Sequence, residues 1–99
     1  MILPRNFHRA ALAEAKDAFN WYEDREQGLG ETFRTALFDV IEAIQVQPLA
    51  SQVIYGIDIR RAIMHRFPFS IIYIVHEDSI LILAVFHLSR DPKVWQRRN

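Results

Sequence analysis

The feature that most constrains the fold is a pair of apolar segments in the last third of the chain, Phe69 to Val75 and Ile80 to Leu88. Both are rich in β-branched and aromatic residues, and Glu77-Asp78-Ser79 lies between them, so the pattern predicts a β-hairpin. Alternate positions are apolar on both faces of each strand. Such strands are usually central and covered on both sides, so the rest of the chain must supply that cover.

Two helices are predicted upstream, the first from about Phe7 to Gln27 and the second from about Glu31 to Gln47. Gly28-Leu29-Gly30 ends the first helix and Pro48 follows the second, so the short connection predicts an antiparallel helical hairpin. The predicted buried stripes are Leu12, Ala15, Phe19 and Tyr22 on the first helix, and Phe33, Leu37, Val40, Ile41 and Ile44 on the second. Both stripes are expected to cover one face of the sheet.

Further strands are predicted from Val53 to Ile59, with a break at Gly56, and from Arg60 to Phe67. Met1 to Leu3 could form one more short strand, which Pro4 would end or confine to an edge. We therefore expect an α+β fold with a sheet of three to four strands. Its second face needs cover from the C-terminal segment, from a homodimer or from a separate protein.

The C-terminal segment contains signals for a short helix. Asp91 is a suitable cap and Pro92 suits a first turn, so a short helix is predicted there. Trp95 could fold back from this helix onto the sheet.

Length and composition favour a single domain over residues 1–99, because 99 residues with 51% hydrophobic content fit one core. The chain has no cysteine and no long apolar run, so we expect a cytoplasmic protein without a membrane partner. Twelve basic and twelve acidic residues balance overall. The second half carries the basic excess, mostly as arginine, which suits a carboxylate or phosphate partner as well as a solvated surface.

No metal site or cofactor site is predicted. His8, His65, His76 and His87 are scattered and lack helical ligand spacing. Glycine-flanked nucleophile turns and phosphate loops are also missing from the sequence.

Basic and aromatic side chains on the predicted strands could carry chemistry: Arg60, Arg61, His65, Arg66, Tyr73, His87 and Arg90. Cleavage of a phosphodiester by its own 2′-hydroxyl needs a base, an acid and positive charge, and no metal. The alternative is that His65 and Tyr73 are half-buried sheet residues while the arginines bind acidic groups of a partner. Trp21 and Phe38 lie off the helical stripes, where they either pack at a flank or contact a partner.

The order of WYEDREQGLGETF, the pair Arg60-Arg61, RFPFSIIYIV and AVFHLSRDPKVWQRR resembles the RelE/ParE superfamily of type II toxin–antitoxin toxins, often labelled plasmid stabilisation proteins. This resemblance implies a helical hairpin packed on a small, curved, antiparallel sheet. It also implies a cognate antitoxin as partner, and a homodimer or a toxin–antitoxin heterotetramer as possible assemblies. On this basis the expected partner-binding residues are Trp21, Phe38, Arg61, Tyr73 and Trp95.

Two targets follow from the same resemblance. ParE-like members inhibit DNA gyrase by protein–protein contact, whereas RelE-like members cut messenger RNA on the ribosome with basic side chains of the sheet. If the chain is a ribonuclease, its catalytic residues are expected to be Arg60, Arg66, His87 and Arg90. The predicted sheet has no lysine and no tyrosine follows Tyr73, which favours the ParE-like reading. A degenerate, non-toxic member that only binds antitoxin is the third alternative.

Overall fold

A computed structural model describes residues 2–98 as a five-stranded sheet, two long helices and one short helix. In chain order the elements are β1 (Arg5–Phe7), α1 (Arg9–Arg25), α2 (Leu29–Val46), β2 (Gln52–Tyr55), β3 (Ile59–Ile63), β4 (Phe69–Val75), β5 (Ile80–His87) and α3 (Lys93–Gln96). The strand order across the sheet is β1-β5-β4-β3-β2. The α+β class and the central hairpin of β4 and β5 are therefore confirmed.

The prediction of three to four antiparallel strands was wrong, because the sheet has five strands and β1 runs parallel to β5. Ile2 and Leu3 precede β1, and Met1 lies outside the described residues, so the strand follows Pro4 instead of ending at it. The Pro4 carbonyl accepts a hydrogen bond from the Ile80 amide at 2.9 Å, which starts the pairing. A three-residue strand is too short to show alternation in the sequence.

The helical hairpin covers the first face of the sheet. On α2 the predicted buried residues Phe33, Leu37, Ile41 and Ile44 are confirmed, and Val40 is half-buried. On α1 the prediction was wrong at Leu12, which is 47% exposed, because the helix turns Ala11 and Ala18 inward instead. Alanine has almost no side chain, so these positions let α1 lie close to the sheet and to α2.

A β-bulge in β5 changes which residues share a face. Ile72 pairs with Ala84 while Tyr73 pairs with Ile82, so Leu83 is the extra residue. Strict alternation along β5 would place Ala84 and Phe86 on the same face as Ile80 and Ile82, but the register shift removes this beyond the bulge. Val85 instead joins Ile80 and Ile82 in the hairpin-facing core, while Ala84 and Phe86 lie in the core of the opposite face.

The second face of the sheet is covered in part by the chain itself. The buried residues of this second core are Ile59, Ile72, Ile74, Leu83, Ala84, Phe86 and Trp95. Trp95 comes from α3, is 3% exposed and packs edge-on against Tyr55 and Phe86, with ring centroids 5.8 and 6.5 Å away. The predicted C-terminal helix and the return of Trp95 to the sheet are confirmed, and the Asp91 side chain accepts from the Lys93 amide at the helix start.

Gly30 sets the approach of the two helices. A Cβ atom at this position would lie 2.8 Å from the Phe19 carbonyl oxygen and 2.9 Å from Oε1 of Glu23. That Glu23 carboxylate also accepts hydrogen bonds from the amides of Gly28 and Gly30 at 2.9 Å each. The close packing of the two helices therefore requires a glycine at position 30, in addition to the turn that connects them.

Replacing Gly30 by alanine is expected to lower the free energy of unfolding by about 1–3 kcal/mol, because backbone must move to accept the methyl group. Urea denaturation measures this loss. Ala43→Gly, at an exposed position of α2, is a control for backbone entropy alone and is expected to cost about 1 kcal/mol or less. Equal stability of the Gly30→Ala variant and the native chain would contradict the close approach.

Candidate functional site

A pocket between α1, the start of β4 and the end of β5, which we call the α1 pocket, has a volume of about 560 Å³. It brings together two of the predicted catalytic residues, His87 and Arg90. Aromatic side chains and two carboxylates share its lining, which comprises Glu14, Asp17, Ala18, Trp21, Tyr22, Pro68, Phe69, Val85, His87, Ser89 and Arg90. This pocket is the place where acid–base chemistry could occur.

His87 is held by the residues that follow it. Its Nδ1 atom accepts a hydrogen bond from the Ser89 amide at 3.1 Å and lies 2.8 Å from Ser89 Oγ, while the ring packs edge-on against Phe69. Because Nδ1 is the acceptor, the neutral ring carries its proton on Nε2. In this arrangement the Nε2–H of neutral His87 can donate a hydrogen bond but cannot accept one.

Arg90 belongs to an ion-pair cluster centred on Glu14, which we call the Glu14 network. Arg90 donates to Oε2 of Glu14 at 2.9 Å, and Arg98 donates to both carboxylate oxygens at 2.8 and 2.9 Å. The Val85 amide donates to the same carboxylate at 3.1 Å, and Arg98 also donates to the Leu83 carbonyl at 3.0 Å. The network thus ties the C-terminal segment to α1 and satisfies polar groups of β5 beyond the end of β1.

The four predicted catalytic residues do not meet in one place. The Arg60 guanidinium donates to the carbonyls of Ser51 at 2.6 Å and Leu49 at 3.2 Å, so it fixes the loop after α2. Arg66 is exposed, with its guanidinium 6.0 Å from the Phe67 ring. Only His87 and Arg90 share the α1 pocket, and Arg90 is already paired with Glu14.

Tyr73 and Trp95, which were predicted to bind a partner, are both buried within the chain. Tyr73 is fully buried, with its hydroxyl donating to the Pro48 carbonyl at 2.8 Å. Trp95 is part of the second core. Sequence alternation identified Tyr73 as a sheet residue but could not show that its hydroxyl is used within the chain.

The other predicted partner-binding residues are accessible to different degrees. Trp21 is 51% exposed, with the Arg25 guanidinium 3.5 Å above its ring. Phe38 is half-buried between Arg5 and Arg34, whose guanidinium carbons lie 5.0 and 5.4 Å from its ring centre. Arg61 is half-buried on the second face of the sheet. These three side chains lie on separate surfaces.

Burial raises the pKa of Tyr73 above its ordinary value of 10.0, although a hydrogen bond to Ser51 and the charge of Arg60 oppose this. The unfolded chain therefore releases this proton at lower pH than the folded chain, so stability is complete below pH 10 and falls as pH rises through the folded pKa. We expect Tyr73→Phe to reduce this alkaline loss of stability. Urea denaturation between pH 8 and about 11 measures it.

Burial also raises the pKa of Tyr22, so the Tyr73→Phe variant retains part of the pH dependence. Tyr55→Phe is the matched control because that side chain is 44% exposed. An unchanged alkaline slope in the Tyr73→Phe variant would contradict the assignment.

Two further pockets were missed by sequence reasoning. One, of about 470 Å³, is a groove between α1 and α2 lined in part by Leu12, Phe19 and Phe38, and it was missed because Leu12 was predicted to be buried. The other, which we call the second-face pocket, has a volume of about 280 Å³ and is lined by Ile54, Arg61, Ser70, Ile72, Phe86, Leu88, Arg90, Pro92, Trp95 and Gln96. Ser70, within an otherwise apolar and aromatic strand, was the available signal for it.

Within residues 2–98, no cluster of three or more histidine, aspartate or glutamate side chains is placed to hold a metal ion. Across the same described residues, none of the helices combines the length and apolar character needed to span a bilayer.

The fold defines a small α+β domain with a helical hairpin on one face of a mixed sheet and a short C-terminal cover on the other. The family model described as the ParE toxin of the type II toxin–antitoxin system parDE matches residues 6–92, and the chain belongs to this family. This confirms the resemblance seen in the sequence.

A solved structure with the same fold belongs to the chromosomal ParDE toxin–antitoxin system from P. aeruginosa. The two chains are 20% identical and superpose with a TM-score of 0.65, over 89% of this chain and 98% of that one. At that identity the likeness shows the fold alone. No curated protein sequence matches the chain significantly.

Proposed function

We propose that this chain is a toxin that arrests growth by inhibiting DNA gyrase and is neutralised by a cognate antitoxin. Membership of the ParE family supports the proposal. The observation that favours gyrase inhibition over ribonuclease activity is the separation of Arg60 and Arg66 from the pocket that contains His87 and Arg90. Phosphodiester cleavage needs its acid, base and positive charges within reach of one phosphate.

The dispersed basic groups leave binding as the activity that the surface supports best. An exposed tryptophan with an arginine stacked on it is a typical anchor of a protein–protein contact. Trp21 and Arg25 form such a pair at the rim of the α1 pocket. The family resemblance and this anchor both point to a protein target, with gyrase as the proposed one.

Gyrase supercoiling and cleavage-complex assays test this function directly. Purified chain is expected to inhibit supercoiling and to increase the amount of cleaved DNA held by gyrase. His87→Ala is expected to retain this effect, since the proposed contact does not use the imidazole. No effect of the native chain on gyrase over a full titration would remove the proposal.

Ribosome-dependent cleavage of messenger RNA is the second candidate, and the shared location of His87 and Arg90 in the α1 pocket is the observation that favours it. Primer extension on translated messages after induction distinguishes the two. New cuts that disappear with His87→Ala would establish the nuclease, whereas intact messages during growth arrest support gyrase inhibition. Overproduction without growth arrest would instead identify a degenerate, non-toxic member.

The proposed antitoxin is the product of a short open reading frame beside the gene, since the solved relative belongs to a ParDE toxin–antitoxin system. Co-expression is expected to restore growth. Light scattering of the purified complex would distinguish a heterotetramer from a simple pair, and scattering of the chain alone would reveal a homodimer. We propose that this complex lies in the cytoplasm, and cell fractionation tests this location.

A further inference from the structure

We propose that the second-face pocket binds the carboxylate of an aspartate or glutamate side chain of the antitoxin, with Arg61 and Ser70 as its binding residues. This inference rests on the proposed function, which supplies the partner. The pocket is formed by β2–β5 on one side and the C-terminal segment on the other. It is separate from the α1 pocket, although Arg90 contributes to both.

Ser70 is the first observation. It lies opposite Phe86 of β5 and Ile63 of β3, is 2% exposed, and lines the second-face pocket. Its Oγ atom has no hydrogen-bond partner in the described part of the chain. A buried hydroxyl without a partner destabilises the free protein, and an acceptor from a ligand would remove that cost.

Arg61 is the second observation. It pairs with Ile72 across the sheet, so its side chain lies on the same face as Ser70. Over residues 2–98 its guanidinium makes no ion pair or side-chain hydrogen bond, in contrast to Arg60 and Arg98. A half-buried arginine with open donors is suited to bidentate binding of an oxyanion.

The charges around the pocket agree with an anionic ligand. Among the described residues that line it there is no carboxylate, whereas the α1 pocket contains Glu14 and Asp17. Arg90 adds positive charge at the rim, although Glu14 offsets much of it. The pocket therefore has a net attraction for a single negative group.

The apolar surroundings favour a carboxylate on a polypeptide over a phosphate on nucleic acid. Ile72, Phe86 and Trp95 give the pocket an apolar lining that suits the hydrocarbon stem of an acidic side chain. Nearby Ile63 and Leu88 are 47% and 56% exposed and offer further area to a peptide. Nucleic acid presents repeated charges, and one open arginine on a chain with balanced charge does not match them.

Titration calorimetry between the full chain and the product of the adjacent reading frame tests this inference. Arg61→Gln and Ser70→Ala are each expected to raise Kd about tenfold or more, because each removes a hydrogen-bond donor to a charged acceptor. Arg66→Gln is the matched control, since Arg66 is exposed and outside the pocket, and is expected to change Kd less than about threefold. An unchanged Kd for both pocket variants would overturn the inference.

Thermal unfolding separates lost binding from lost structure. Ser70→Ala removes an unsatisfied hydroxyl, so its Tm is expected to equal or exceed that of the native chain while its binding is weaker. A Tm for Ser70→Ala well below the native value would mean that the hydroxyl serves the fold, and would overturn its role as a ligand donor.

The same experiment distinguishes failure of the inference from failure of the proposed function. If the native chain does not bind the adjacent gene product, the antitoxin proposal fails. Sodium acetate, titrated at constant ionic strength, then probes the pocket by the NMR shift of the Arg61 Nε–H group. A saturable shift at Arg61 that is missing at Arg66 supports a carboxylate site, whereas equal shifts, or tighter binding of inorganic phosphate, would overturn it.

Discussion

Replacing Glu14 by alanine is expected to lower the free energy of unfolding by about 3–5 kcal/mol, because it leaves a nearly buried positive charge without a partner. The side chains of Glu14 and Arg98 are each only 12% exposed, and their two hydrogen bonds measure 2.8 and 2.9 Å. The substitution also leaves the Val85 amide without its acceptor. Chemical denaturation by urea, followed by circular dichroism, measures the change.

Glu42→Ala is the matched control for this substitution, since Glu42 is exposed on α2 and is expected to change stability by about 0.5 kcal/mol or less. Arg98→Ala and the double variant Glu14→Ala/Arg98→Ala complete a double-mutant cycle. Because both single changes break the same pair, the double variant is expected to lose much less than the sum of the two. Additive losses would show that the ion pair contributes nothing of its own.

The Glu14 network also explains why the C-terminal segment stays on the sheet. A four-residue helix is far too short to be stable alone. Two contacts hold α3 in place: Trp95 enters the second core, and Arg98 pairs with Glu14. Loss of Glu14 is therefore expected to weaken the cover of the second face as well as the packing of α1.

Local sequence patterns predicted the strand and the helix whose burial follows from apolar spacing alone. An apolar pattern interrupted at Ser70 predicted β4 with the bounds later observed, and the spacing of Phe33, Leu37, Ile41 and Ile44 predicted the buried side of α2. β4 is buried on both faces and α2 on one side, and this burial requires apolar residues at regular spacing. That spacing was therefore enough to predict both elements.

Local patterns do not predict burial where a tertiary contact determines it. Leu12 is more apolar than Ala11, yet close packing of α1 buries the alanine and leaves 47% of the leucine exposed. The extra residue at Leu83 moves the residues after it to the opposite face of β5, and nothing in the local sequence predicts this bulge. Pairing between Glu14 and Arg98 spans 84 residues, so its partners cannot be chosen from sequence alone.

The candidate site was predicted as a list of residue types and not as an arrangement. His87 and Arg90 do lie in one pocket, but Arg60 is used by the loop after α2 and Tyr73 by the Pro48 carbonyl. Ser70 was not predicted as a site residue, because a serine in a strand carries no functional signal until the structure shows that its buried Oγ atom lacks a hydrogen-bond partner. A basic side chain can bind a ligand only if contacts within the chain leave its donors open, and the sequence does not show those contacts.

Replacing Trp95 by alanine is expected to lower the free energy of unfolding by about 3–5 kcal/mol, because a large buried ring is lost from the second core. Trp21→Ala is the natural control, since Trp21 is 51% exposed and is expected to cost about 1 kcal/mol or less. These are the two tryptophans of the chain, so each variant also leaves a single fluorescent reporter. Emission from the Trp21→Ala variant is expected at shorter wavelength than emission from Trp95→Ala.

The Trp95→Ala variant is further expected to bind a hydrophobic dye more strongly than the native chain, since Ile72 and Phe86 lose their cover. If Trp95→Ala and Trp21→Ala were equally stable and emitted alike, α3 would not cover the sheet in solution. The second face would then require a partner for its cover even in the free chain. A large loss confined to Trp95→Ala instead means that the chain covers this core itself.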